Sequence, residues 1–390
     1  MLKVSDRVLI RLAPFGVDLA LSIYNLAAPL VLIELKASPI EVGLVGTIAS
    51  SVHMGMSHFT GRLSDRLGRR RLITAAPHFL FISCLVMMFT KDIVLIVAVS
   101  ALNGLYTAVF WPPFSAWIAD RPRGPKLARN IGSVHLSWTA AILAGPIISG
   151  FLYSLYPRLP FLFGAMIALA LFFLLWTSAQ EDQPQTALRN QSLDSKASIS
   201  QSVFLYAAWV ACFAFSFTLG NMRYQFPKLA RELNVPPQMI GILLGLIGFS
   251  MFWAFFMLRK GEHWHFRKRY LIGAQLLSAA GISLILLSSN RILFALAFIV
   301  TGFSGSVTLY SGLYYTVYLI KMKGKGAGVY ESIVGAGALS GPILGGIAAQ
   351  FAGLRAPYLL CLVVLFVAVI VEIGLLKRNN TSATGSRNKT

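Results

Sequence analysis

The chain has 390 residues, of which 56% are hydrophobic and 12% are charged, and its formal net charge is +20. This composition excludes a water-soluble protein, because one globular core could not bury so many apolar side chains. The positive charge does not indicate a nucleic-acid partner either, since polytopic membrane proteins concentrate lysine and arginine in their cytoplasmic loops.

Apolar runs long enough to cross a bilayer, about 20 residues each, recur twelve times along the chain. The first run covers residues 8–33 and the last covers 356–376. The first run has a basic start but no small-residue cleavage site, so we interpret it as a retained span and not as a signal peptide. The pattern predicts an all-α membrane protein with twelve transmembrane helices in the lipid bilayer.

The segment between the second and third runs is the most distinctive part of the chain. Residues 61–73 read GRLSDRLGRRRLI, and the second run is predicted to end at residue 60. Glycine permits a tight turn, and arginine keeps a turn on the cytoplasmic side. The spacing of Gly61, Asp65 and Gly68, followed by basic residues, resembles motif A of the major facilitator superfamily, the loop between helices 2 and 3.

This resemblance implies two six-helix bundles related by pseudo-two-fold symmetry, the major facilitator fold, and transport by alternating access. It also implies that Asp65 contacts the cytoplasmic end of helix 11, and that Arg69, Arg70 and Asp120 form an inner charge cluster. The predicted conformational switch comprises Gly61, Asp65, Arg66, Gly68, Arg69, Arg70 and Asp120. The alternative is a solvated loop that only fixes the topology.

Most of the 34 lysines and arginines fall in segments on the same side as the Gly61 loop when the spans are laid out in order. By the positive-inside rule, both termini are therefore predicted to be cytoplasmic, in a plasma (inner) membrane. Residues 179–202 are polar and predict a flexible cytoplasmic linker. They separate an N-terminal bundle, 1–178, from a C-terminal bundle, 203–377, which a cytoplasmic tail, 378–390, follows.

The two predicted bundles are internal repeats. Residues 132–150 align with 328–346 without a gap, which pairs His135 with Glu331. Pro39 and Gly43 align in the same way with Pro237 and Gly241. Proline and glycine rarely match together by chance in apolar spans, so a duplicated six-helix unit is indicated.

Glycine–proline pairs in runs five and eleven resemble motif C of antiporter-type members of the same family. The residues are Gly145, Pro146, Gly341, Pro342, Gly345 and Gly346. Glycine lets helices approach closely and proline removes a backbone hydrogen bond, so these positions are a predicted hinge that favours export. The alternative is a small-residue packing surface with no bearing on direction.

Charged residues inside spans are costly and therefore indicate function. Asp18, Ser22 and Asn25 share one face of helix 1 and predict a stripe along a cavity, where the acid would exchange protons for a cation. A structural hydrogen bond to a neighbouring helix is the alternative for Asp18. Further cavity candidates are Asn103, Tyr106, Phe110, His135, Arg223, Tyr310, Tyr314 and Glu331, with packing, wetting at the membrane rim or an outer gate as alternatives.

The sequence therefore predicts a secondary active transporter of a small organic molecule, favouring proton-coupled export of an amphiphilic or cationic compound. Motif B of proton-coupled relatives has an arginine where this chain reads Ala101-Leu102-Asn103-Gly104, which leaves Asp18 as the main support for proton coupling. Uptake or facilitated diffusion of a sugar or organic anion and a non-transporting membrane sensor are alternatives. We expect a monomer with no enzyme activity, no cofactor and no metal site.

Overall fold

A computed structural model describes residues 6–119, 125–178, 199–258, 264, 266–319 and 323–387. Within these ranges the secondary structure is helical, and no strand occurs. The helices are α1 Asp6–Glu34, α2 Pro39–Leu67, α3 Arg69–Phe89, α4 Ile93–Ala119, α5 Pro125–Leu155, α6 Leu159–Ser178, α7 Ile199–Tyr224, α8 Phe226–Glu232, α9 Pro237–Leu258, α10 Lys268–Leu287, α11 Arg291–Leu319, α12 Lys323–Ala352 and α13 Ala356–Arg387.

The predicted fold class is confirmed, and each half supplies six long helices. Eleven stretches of the described chain are long and apolar enough to cross a membrane. The twelfth long helix, α2, is less apolar because serine, histidine and arginine interrupt it, but it packs against α4 and α12. The remaining helix, α8, has seven residues and only continues α7 after a break.

The predicted repeat is visible in local structure as well as in the order of helices. Lys36 and Asn234, which align between the halves, both adopt left-handed backbone angles, with φ of 60° and 55°. Arg158 donates to the carbonyls of Met87 and Thr90, and Arg355 makes the equivalent bonds to the end of α10. The side chains of Asp92 and Asn290 both accept from the first turn of the helix that follows them.

The predicted loop at residues 61–73 is wrong in its extent. Helix α2 continues through Leu67, α3 begins at Arg69, and the turn consists of Gly68 alone, with φ of +90°. A single residue can reverse the chain here because glycine has no Cβ to hinder a positive φ. The arginines therefore lie on the ends of two helices.

Helix α13 runs to Arg387, so most of the predicted tail 378–390 is helical backbone. The predicted linker lies outside the described residues up to 198, and its last residues begin α7.

The halves meet along two seams, α2 with α12 and α5 with α9. Glycines without room for a Cβ line both seams: Gly43 faces the carbonyl of Pro342, and its repeat mate Gly241 faces the carbonyl of Pro146. Gly346 and Gly150 lie in the same way against Pro39 and Pro237. We call the end of the molecule that carries Pro39 and Pro237 the proline end, and the end that carries Gly68 the arginine end.

Candidate functional site

Asp18 lies inside the N-terminal half, on α1, and is only 6% exposed. Its Oδ2 atom has no hydrogen-bond partner among the described residues. Its electrostatic neighbours are Tyr106 of α4 and Arg223 of α7. Tyr106 itself donates its hydroxyl to the carbonyl of Val17 at 3.0 Å. The structure therefore leaves one carboxylate oxygen free to bind a proton or a cation.

A small cavity lies between the halves near Asp18. It has a volume of about 30 Å³, enough for about two water molecules but too little for an organic molecule. Its lining residues come from α1, α5, α7 and α9: Ser22, Asn25, Leu26, Ile142, Pro146, Arg223, Leu244 and Ile247. The structure thus brings together Ser22, Asn25 and Arg223, three of the residues that the sequence suggested. A substrate requires these helices to move apart.

The seam between α2 and α12 is closed at the proline end and open at the arginine end. Thr47 Oγ1 donates to the carbonyl of Leu339 at 2.9 Å, and Ser50 Oγ donates to that of Ala338 at 3.4 Å. A Cβ placed on Gly335 would lie 3.6 Å from the side chain of Met54. Further along, the described residues leave open space at two positions, since nothing lies within 4 Å of a Cβ placed on Gly55 or Gly328.

Glu331 lies where this seam opens, and its side chain is exposed. Its repeat mate His135 is half-buried on the other seam and faces the ring of Phe255, with ring centroids 5.8 Å apart. The two predicted partners therefore belong to different seams. Glu331 is accessible from the arginine end, while the ring of His135 contacts the ring of Phe255 across the interface between the halves.

A latch at the proline end is the main feature that sequence reasoning missed. Gln225, between α7 and α8, donates through Nε2 to the carbonyls of Pro39 and Pro342, both at 3.1 Å. Lys228 donates to the carbonyl of Ala37 from the opposite half. The sequence signal for the break between α7 and α8 is Pro227, because a proline disfavours helical backbone at the residue before it. No sequence pattern indicates the hydrogen bonds of Gln225 itself.

The motif A residues form contacts within the N-terminal half. Asp65 is 66% exposed and lies 3.6 Å from Arg69, across the Gly68 turn. Arg70 donates to the carbonyl of Trp176 at 2.7 Å, at the end of α6. Asp120 lies outside the described residues, and so do the side chains at the start of α12, which is the eleventh membrane helix. The predicted contact of Asp65 with that helix therefore stays a prediction.

The motif C residues contact both halves. Gly145 packs against Leu19 and Ser22 of α1, and its repeat mate Gly341 packs against the carbonyl of Phe217 of α7. The carbonyl of the proline that follows each glycine lies against a glycine of the opposite half. Gly345 leaves room for the amide oxygen of Asn221. A hinge role stays a prediction, while the close packing is evident.

Two predicted cavity residues on α4, Tyr106 and Phe110, are fully buried in the core of the N-terminal half in the conformation described. Their place in a transport cavity stays a prediction. Phe110 stacks on Phe114 with centroids 4.8 Å apart, and rings of this size pack best when they are enclosed by protein. Asn103, on the same helix, is also buried and only 2% exposed.

The aromatic residues of α11 lie in an array on the C-terminal side of the interface. Tyr310 contacts Phe255 at 6.0 Å and Trp264 at 5.2 Å between ring centroids. Tyr314 contacts Trp264 at 5.5 Å. Both tyrosines are half-buried.

Two six-helix halves that meet along paired glycine seams, with a buried free carboxylate beside the interface, define a multi-pass membrane protein built to carry small molecules. The family model described as Major Facilitator Superfamily matches residues 12–318 and 208–390. The chain therefore belongs to the major facilitator superfamily and is a transporter of this family.

Its curated relatives include drug-resistance proteins. Multidrug resistance protein 1 of Bacillus subtilis (strain 168) is 23% identical over 336 residues, which cover 82% of this chain and 83% of the relative. Quinolone resistance protein NorA of Staphylococcus aureus (strain N315) is 22% identical over 233 residues, 59% of either chain.

Solved transporters share the fold. A bacterial homolog of the human lysosomal transporter Spinster, in an inward-facing and occupied conformation, matches with a TM-score of 0.76 and 14% identity, covering 95% of this chain and 96% of that chain. The nucleoside transporter NupG matches with a TM-score of 0.69 and 14% identity, covering 95% and 98%. Identities this low show the fold alone.

Proposed function

We propose that this protein exports an amphiphilic or cationic small molecule in exchange for protons. The observation that carries the proposal is the buried Asp18 carboxyl with its unpartnered oxygen. A carboxylate is costly in a membrane interior unless a proton or a cation neutralises it, so the two ligands would compete for the same group. Its relatives among multidrug and quinolone resistance proteins support export over uptake.

The protein works in the plasma membrane with both termini and the arginine end in the cytoplasm. The excess of lysine and arginine at this end supports the orientation. In this orientation, the conformation of the protein is open to the cytoplasm at Glu331 and closed to the outside by Gln225 and Lys228. A substrate would be taken up from the cytoplasmic side, and release would need the proline end to separate. One chain holds both halves, so a monomer is sufficient.

Everted membrane vesicles that accumulate the cationic dye ethidium test this proposal. An imposed proton gradient should drive dye uptake by the wild type, and added dye should release protons. Asp18→Asn should lower both rates by at least about tenfold, which corresponds to about 1.4 kcal/mol. The control is Glu232→Gln, which neutralises an exposed carboxylate at the proline end. Dye-dependent proton release at the wild-type rate in Asp18→Asn would refute the role of Asp18.

Arg223 favours a second candidate, transport of an organic anion. Its side chain lines the cavity between the halves, where a guanidinium group would bind a carboxylate or phosphate. The same vesicles, supplied with a panel of labelled organic anions, separate the two functions. Anion transport that is lost in Arg223→Gln and retained in Asp18→Asn would favour the second candidate.

A further inference from the structure

Glu372 of α13 is a second buried carboxyl, in the other half of the molecule. Its exposed fraction is 0%, and neither of its carboxylate oxygens has a hydrogen-bond partner among the described residues. Lys377, further along the same helix, is exposed and forms no ion pair with Glu372 in the described structure. An acid left in this state is costly and calls for an explanation.

Three polar residues from other helices are linked by hydrogen bonds, and one of them, Cys212, lies near Glu372. Cys212 of α7 interacts electrostatically with Glu372, and its Sγ lies 3.5 Å from the carbonyl of Thr308 on α11, to which it donates. Gln275 of α10 donates to Thr308 Oγ1 at 3.3 Å, and its own Oε1 atom is buried without a partner in the described residues. We call Cys212, Gln275, Thr308 and Glu372 the C-half polar cluster.

The N-terminal half shows that the fold does not need polar residues at these places. Four pairs set the alignment of the halves: Pro39 with Pro237, Met87 with Ile285, Asp92 with Asn290 and Arg158 with Arg355. The same offsets pair Cys212 with Pro14, Gln275 with Pro77, Thr308 with Phe110 and Glu372 with Leu175. All four residues of the N-terminal half are buried and apolar. The equivalent helices of the N-terminal half therefore pack with no polar side chain at these four positions, so packing alone does not account for the C-half polar cluster.

Among the described side chains on the helices packed against α13, no charged or titratable group neutralises Glu372. Helix α7 contributes Cys212, and α12 contributes Tyr330 and Glu331, which also interact with Cys212. Helix α10 has described cations only in its first turn, at Lys268 and Arg269, and both are exposed. A neutral, uncharged carboxyl is the form that this environment accommodates.

We propose that Glu372 is a proton-binding site of the C-terminal half, separate from Asp18. Complete enclosure excludes an organic cation, while a proton needs no space beyond the carboxyl group itself. The site is proposed from its own surroundings and does not depend on which substrate is carried or in which direction. Its binding and release of a proton would change the charge inside the C-terminal half.

Infrared difference spectroscopy tests the site on purified full-length protein in liposomes. Spectra at about pH 6 and about pH 9 bracket titration of a buried acid, and a protonated carboxyl has its own carbonyl band. We expect a pH-dependent band that Glu372→Gln removes, while Glu331→Gln and the exposed control Glu232→Gln retain it. Glutamine has the shape of the neutral acid, so the variant should fold. A band unchanged in Glu372→Gln, or lost in Glu331→Gln instead, overturns the proposal. The measurement does not involve transport, so failure of the proposed export would leave this result intact.

Discussion

Asp18 and Arg223 are opposite charges on different halves of the protein, and their relation determines the chemistry of the interface. They interact electrostatically, but they form no direct ion pair in the described structure. The arginine thus offsets part of the cost of the buried carboxylate without occupying its free oxygen. That oxygen stays unpartnered in the described structure, and a proton bound to it would weaken an attraction between the halves.

A double-mutant cycle measures this attraction. Asp18→Asn and Arg223→Gln should each lower thermal stability in detergent, because each leaves the other charge buried without compensation. The double variant should lose less than the sum of the two, with a coupling energy of about 0.5 to 3 kcal/mol. Strict additivity would show that the two charges do not interact. The pair Asp18 with Arg231, which lies at the proline end, should be additive and is the control.

At the scale of helices, the two seams depend on glycines that carry the same role in both halves. Gly43 and Gly241 each face a proline carbonyl of the opposite half, and neither leaves room for a Cβ. Close approach of this kind is what small residues provide at helix interfaces in a membrane. The motif C prolines therefore act on the interface through their carbonyl groups as well as through any bend in their own helices.

Gly43→Ala should separate α2 from α12 at the proline end. The added methyl group meets backbone atoms that cannot move aside, so we expect a loss of about 1 to 3 kcal/mol in stability. Gly55→Ala, on the same helix, meets nothing within 4 Å and should be neutral or stabilising by up to about 1 kcal/mol. Thermal unfolding of the two purified variants gives the comparison, and equal melting temperatures would contradict the close-packed seam.

The sequence predicted the helices and the repeat because both leave local signals, namely apolar length and recurrent proline and glycine. It did not predict the extension of α2 through Leu67, since the charged turns of a helix that leaves the membrane look like a loop in composition. The latch at Gln225 was also missed. A hydrogen bond from one glutamine to Pro39 and Pro342 joins residues far apart in the chain, and no local pattern encodes it.

On the scale of the whole molecule, Gln225 holds the proline end closed. Only the hydrogen bond to Pro39 joins the two halves, because Pro342 lies in the same half as Gln225. One such bond contributes about 1 kcal/mol, so Gln225→Leu should shift the balance towards separation of that end by about 1 kcal/mol. Spin labels placed on α2 and α12 near the proline end, with distances measured by double electron–electron resonance, report the shift. Gln350→Leu, on an exposed part of α12, is the matched control. An unchanged distance distribution in Gln225→Leu would refute the latch.

Cysteine pairs at the two ends of one seam test whether the halves rock against each other. Ser50→Cys with Ala338→Cys joins positions in contact near the proline end, so this pair should cross-link readily and stop transport until reductant is added. His58→Cys with Gly328→Cys lies nearer the arginine end, where nothing in the described chain lies within 4 Å of a Cβ placed on Gly328. This second pair should cross-link only when substrate or a proton gradient drives the arginine end closed. The endogenous Cys84, Cys212 and Cys361 are buried, which limits background reaction. If both pairs cross-link together under every condition, the seam does not open at one end while it closes at the other, and rigid-body rocking about the glycine contacts is excluded.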